Sequence, residues 1–307
     1  GARRRVGASR IRPRVDDQPT DDPALVSGAG DHAGLPLREA VRLHAAGRAR
    51  RGLFVRHPDG LCGRAGRQPL GRRRRAVVGL GADGVEWIHA ASLEIGRLAQ
   101  GINPHMPTGS DTIHFIKHTD KPFDRKATYL RIVTSVRTNK AESKRVRFTV
   151  GGDRVDYPGE TSTPTVDLTT IKIQLNSVLS TPDAKFMTAD ISDFYLNTPL
   201  PRKEYMRIPV KDIPQCVIDQ YNLAPLVHNG HVMTEIRKGM YGLPQAGLLA
   251  HDLLKDRLAL DGYMPANHTP GFFSHSTLPI SFTLCVDDFG IKYVGTDAAQ
   301  HLIATVK

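Results

Sequence analysis

The chain has 307 residues, 40% of them hydrophobic, with 42 Lys plus Arg against 31 Asp plus Glu for a net charge of +11. That composition suffices to bury one large core or two, while Cys62, Cys216 and Cys285 share no metal-ligand or disulfide spacing and exclude a disulfide scaffold. No apolar run approaches the roughly 20 residues that span a bilayer, and the N-terminus has no signal-peptide core. The expectation is a soluble protein of a reducing, intracellular compartment.

The charge is unevenly spread. Residues 1–84 hold 18 Arg and 8 acidic residues, whereas residues 85–307 hold 24 basic and 23 acidic ones. The first 84 residues also lack Lys, Asn, Tyr, Met and Trp. Arg, Ala, Gly and Pro are spelled by GC-rich codons and the missing types mostly by AT-rich ones. Residues 1–84 therefore read as a disordered segment, or one translated out of frame or fused from unrelated DNA, without the aromatic and periodic apolar positions of a core. A solvated basic tail that binds RNA is the functional alternative, on runs such as Arg3-Arg4-Arg5 and Arg72 to Arg75. Residues 85–307 read as the folded domain, and the start at Gly1 as that of a fragment.

Trp87, Ile88, Leu93, Ile95 and Leu98 predict a helix over Glu86–Gln100 that Gly101–Pro104 ends. Thr128–Val136 and Val146–Gly151 predict a hairpin joined by the polar turn Thr138–Ser143. Between Lys117 and Arg154 stand 11 basic and 4 acidic residues, either a solvated basic face or a grip on phosphates. A helix is expected over Thr163–Ser180, with Thr163 as N-cap, Pro164 at its first position, Asp167 near the positive end of the dipole, and Ile171, Leu175, Val178 and Leu179 as its apolar stripe.

The apolar run Ala184–Ala189 predicts a buried strand ending at Asp190. A short strand at Glu204–Ile208, a helix near Pro214–Asn222, a strand at His231–Arg237 and a helix from Pro244 to Leu260 follow, the last stopped by Gly262. Phe272–His275 and Ile280–Val286 read as strands, the latter turning at Asp287-Asp288 into Ile291–Val294, and Thr296 caps a final helix. Strands and helices without strict alternation indicate an α+β domain.

Asp287-Asp288 sits in ISFTLCVDDFGIKYVG (280–295), at the tip of a predicted hairpin. A solvated turn is the ordinary reading of such a pair. Asp190, in FMTADISDFYLN (186–197), adds a third carboxylate at another strand end. Three hard oxygen donors on neighbouring strand ends can hold two Mg²⁺ ions, the arrangement that phosphoryl transfer uses to stabilise attacking and leaving oxygens.

DISDFYLN, KGMYGLPQAG (238–247) and CVDDFGIKYVG, in that order, resemble the reverse transcriptase of copia-type retrotransposons. The similarity begins near Trp87 and takes in GRLAQGINPHMPTG (96–109) and RFTVGGDRVDYPGETSTPTVDLTT (147–170). The resemblance implies the fingers and palm of a polymerase right hand, with a mixed antiparallel palm sheet, adding deoxynucleotides to a primer on an RNA or DNA template. It implies Asp190, Asp287 and Asp288 as catalytic and metal-holding residues for two Mg²⁺ ions, with the Ile191 carbonyl as a further ligand. Tyr195 would lie under the incoming sugar and exclude a 2′-hydroxyl, Gln245 would touch the incoming nucleotide, and Arg147 with Arg145 or Lys144 would clamp its phosphates. The Asp193 amide would face the triphosphate or its side chain would cap the next turn. Cys285 departs from the family's usual aromatic residue, and the family's thumb and ribonuclease H domain are expected to be missing. The alternatives are a catalytically inactive retrotransposon relic and a nucleic-acid-binding module without chemistry.

Overall fold

The computed structural model describes residues 84–138 and 142–307 and, as backbone alone, a strand β1 (Val41–His44). The rest of residues 1–84, and with them the expectation for that segment, lies outside the described residues. So does part of the turn at 138–143.

Helix α1 (Gly84–Leu98) forms because Trp87, Ala91, Ile95 and Leu98 recur at helical spacing and bury together, each large aliphatic side chain contributing about 1.5–3 kcal/mol. Gly101 stops it at φ +109, its amide bonding back to the Gly96 carbonyl. Strand β2 (Ile113–Ile116), for which the sequence carries no expectation, comes next. The hairpin of β3 (Ala127–Val136) and β4 (Lys144–Val150) follows, with Val146, Phe148 and Val150 inward against α1.

Helix α2 (Leu168–Ser180) starts later than expected, with Thr163–Val166 outside the helix. The Val166 amide bonds the Leu284 carbonyl, and the Asp167 side chain accepts from the Thr170 amide as the true N-cap. Its apolar stripe is also not the buried one: Leu175 and Leu179 are 42% and 86% exposed, while Gln174 is buried. Gln174 Nε2 donates to the carbonyls of Ser281 and Gly290 at 3.2 and 2.9 Å, which draws a polar residue to the sheet.

Then come β5 (Ala184–Ile191), β6 (Pro199–Pro209), α3 (Gln215–Gln220), the two-residue β7 (Val227–His228) and β8 (His231–Lys238). Helix α4 (Ala246–Leu260), β9 (Tyr263–Pro265), β10 (Phe272–His275), β11 (Ile280–Cys285), β12 (Asp288–Val294) and α5 (Thr296–Thr305) complete the chain. Thr296 opens α5 but does not cap it; Gly295 holds the cap position without a side-chain bond.

The described strands form two six-stranded sheets. One runs β1-β5-β12-β11-β10-β9 and is antiparallel throughout; the other runs β2-β8-β6-β3-β4 with β7 beside β8 and contains the parallel pair β3–β6. Each sheet has its own core. Met187, Ala189, Ile191, Phe289 and Ile291 pack with α4 and α5, whereas α1 and α3 cover the second sheet. By strand alternation Asp190 and Asp288 face away from the α4 and α5 core. The domain is α+β, and none of its described helices is long and apolar enough to cross a membrane.

Candidate active site

The β11–β12 hairpin closes through two residues, Val286 and Asp287, because Cys285 pairs with Asp288. Such a turn needs φ > 0 at its first central position, normally supplied by glycine. Val286 supplies it at φ +63, which a β-branched residue adopts only under strain of about 1–3 kcal/mol. On the other side Asp288 pairs directly with Asp190 across β12 and β5, and the Ile191 amide donates to the Asp287 carbonyl at 3.1 Å. The register thus brings the three sequence-predicted carboxylates to one corner of the sheet, with Ile191 tied to the turn.

The carboxylates act on one another through their charge. Burial raises the Asp287 pKa from its ordinary value, and the negative charges of Asp190 and Asp288 add to it, opposed by its own backbone amide and by Arg147. Asp288 is raised by burial and then by Asp190. Three oxygen-donor side chains whose charges repel suit a hard divalent cation in kind. In placement they fall short, since among the described residues no three His, Cys, Asp or Glu side chains are grouped closely enough to hold a metal ion.

Positive charge reaches this corner from β4. Arg145, Arg147 and Thr149 alternate with the buried Val146, Phe148 and Val150, so the arginines leave the core face. The Arg147 guanidinium lies over the Tyr241 ring at 4.4 Å from its centroid, with its Nε buried and unpartnered. Burial pushes the Arg145 pKa down, and Arg147, Arg137 and Arg97 push it further. Lys144 instead lies over Trp87 at 5.3 Å. Tyr195 meets Tyr241 edge to face at 5.3 Å, and its hydroxyl pKa is raised by burial and then by Asp287. Tyr195, Tyr241, Arg147 and Asp287 therefore share one environment.

A tether that sequence reasoning missed holds these parts together. Arg97 on α1 donates to Asp193 at 2.9 Å and pairs with Glu94 at 3.2 Å. Glu94 accepts from the Phe148 amide at 3.3 Å, and burial raises its pKa despite the nearby Arg97, Arg147 and Arg145. Asp193 thus uses its side chain on α1 and caps no turn. A second junction is made by glycines: Val150 N–H donates to the Tyr241 carbonyl at 2.7 Å, and a Cβ on Gly242, at φ +95, would meet the Val150 carbonyl at 2.2 Å. A Cβ on Gly152 would meet the Gly242 carbonyl at 2.2 Å.

Gln245, expected to touch an incoming nucleotide, is buried. It stands before α4, 1% exposed, with Nε2 3.4 Å from Glu204 Oε1 and its own Oε1 unpartnered. Glu204 is already held by Arg125 at 2.7 Å and Arg202 at 3.0 Å. Cys285 is exposed beside the turn. No protein-family description and no curated protein matches this chain.

Proposed function

We propose that residues 85–307 are the fingers and palm of an RNA-directed DNA polymerase of the copia-type retrotransposon kind, extending a primer with deoxynucleoside triphosphates on an RNA or DNA template. The observation that carries this reading is the corner where Asp190 and Asp288 face each other in register beside Asp287, with Arg147 and Tyr195 in the same electrostatic environment. The strained Val286 turn supports it, since strain of that kind concentrates at functional sites.

In this reading the primer 3′-hydroxyl attacks the α-phosphorus, a new phosphodiester bond forms and pyrophosphate leaves. Two Mg²⁺ ions would require the Asp190, Asp287 and Asp288 side chains to draw together, and would then supply charge neutralisation at the phosphate and an activated attacking oxygen. Arg147, stacked on Tyr241, presents a planar fork to the triphosphate, and Arg145 adds charge beside it. Tyr195 sets the floor under the sugar. Ile191 offers its carbonyl next to the turn, and Gln245 reaches the nucleotide only after leaving Glu204. Magnesium-dependent extension of a primer on an RNA template, lost in Asp287→Asn, tests the reading. A second reading, a nucleic-acid-binding module without chemistry, is favoured by the ungathered carboxylate side chains, and it predicts binding without extension.

A further inference from the structure

A cleft of about 660 Å³ opens on the second sheet and shares no lining residue with the carboxylate corner. Lys121, Arg125, Lys126, Arg154 and Arg207 line it against Asp153 and Asp156. Arg125 is neutralised by Glu204, and Asp153 accepts from the Tyr129 hydroxyl at 2.8 Å. Among the described residues no carboxylate stands within ion-pair distance of Lys126, Arg154 or Arg207; Arg154 lies over the Tyr129 ring at 5.2 Å from its centroid, and Lys126 and Arg207 are exposed.

The second observation is Phe123, 104% exposed in the loop between β2 and β3. This loop is braced. The Arg125 amide closes a turn onto the Pro122 carbonyl at 3.2 Å, and Lys121 Nζ donates to the carbonyls of Pro122 and Arg125 at 2.7 and 2.5 Å. Arg125 then anchors the turn on the buried Glu204 at 2.7 Å. A phenyl ring with no protein neighbour is thus held out at the tip of a fixed turn whose flanking residues line a cationic cleft. A ring in water costs free energy that a stacked partner would recover.

We propose that this cleft and Phe123 bind a single-stranded nucleic acid segment, with phosphates on Lys126, Arg154 and Arg207 and an unpaired base stacked on Phe123. Basic grooves with aromatic platforms take single strands in this way, and the stacking tolerates any base. A duplex offers the phosphates but keeps its bases inside, so the Phe123 contact selects single strands. The surface is separate from the carboxylates and its test is a binding equilibrium without nucleotides, so it stands or falls independently of polymerase activity.

The experiment uses the full chain and single-stranded oligouridylate and oligothymidylate of about 12 nucleotides, with a duplex of equal length as control. The Arg-rich residues 1–84 contribute equally to every variant. Irradiation of an oligomer carrying 5-iodouridine should cross-link the peptide containing Phe123. In anisotropy titrations Phe123→Ala should weaken single-strand binding roughly 5- to 100-fold while leaving duplex binding unchanged, and Phe123→Trp should preserve it. The Lys126→Gln, Arg207→Gln double variant should lower the slope of log K against log salt by about 1.4. RNA and DNA single strands behaving alike is expected of stacking on an exposed ring. Cross-links confined to other peptides, or a Phe123→Ala variant that binds single strand as wild type does or loses single strand and duplex equally, would overturn the proposal.

Discussion

Replacing Asp288 by Asn should make the protein more stable in the absence of divalent cations. Asp288 lies directly across from Asp190, and like charges in that cross-strand position cost up to about 1 kcal/mol. Asp288 is partly solvated, which screens the repulsion, so the expected gain is about 0.5 kcal/mol. Its sign with pH follows from the raised pKa. A carboxyl whose folded pKa lies above its unfolded value destabilises the fold when ionised, and the penalty is absent below the unfolded value of about 4. The advantage of Asp288→Asn should therefore be complete at neutral pH and vanish as the pH falls through the carboxylate range. It should also shrink in about 1 M KCl, where the screening length is about 3 Å. Added Mg²⁺ should reverse the order, because a cation at ten times its dissociation constant stabilises the wild type by about 1.4 kcal/mol. Urea denaturation followed by circular dichroism measures each arm as a shift in midpoint. A variant no more stable than wild type without metal, or one whose advantage persists at about pH 3, would refute the argument.

Gln174→Leu should cost about 1–3 kcal/mol in denaturant midpoint, since it strips donors from the Ser281 and Gly290 carbonyls under α2. Gly242→Ala should cost more than 2 kcal/mol in thermal or urea unfolding, because a Cβ there meets the Val150 carbonyl at 2.2 Å and φ is +95. Arg147→Gln should raise the KM for deoxynucleotide at least about tenfold in steady-state extension, through loss of a charge-assisted bidentate contact.

Much of this architecture was legible from period alone. α1 and β4 follow their apolar repeats, and so does the β11–β12 hairpin, although its turn is Val286-Asp287, one residue before the Asp287-Asp288 expected, which puts Asp288 in β12. The register that sets Asp190 against Asp288 has no local signal. β2 is four residues, too short for a periodic signal. The start of α2 was misplaced because Thr163-Pro164 is a good local helix start that loses to the bond between Val166 and Leu284. Its buried face was misjudged because a periodicity count scores apolar residues, whereas two backbone carbonyls selected Gln174. The Glu94–Arg97–Asp193 tether joins residues 96 positions apart at its far end, and nothing local announces it. Gln245 carries the opposite lesson: its motif points to a ligand, while burial turns its side chain toward Glu204.

The most direct test of the central claim is single-turnover extension of a DNA primer on an RNA template by the full chain with Mg²⁺ and deoxynucleotides, run beside Asp287→Asn. The account predicts extension by the wild type and none by the variant, with primer-template binding equal in the two. Equal extension by both proteins, or none by a folded wild type that binds primer-template, would contradict it.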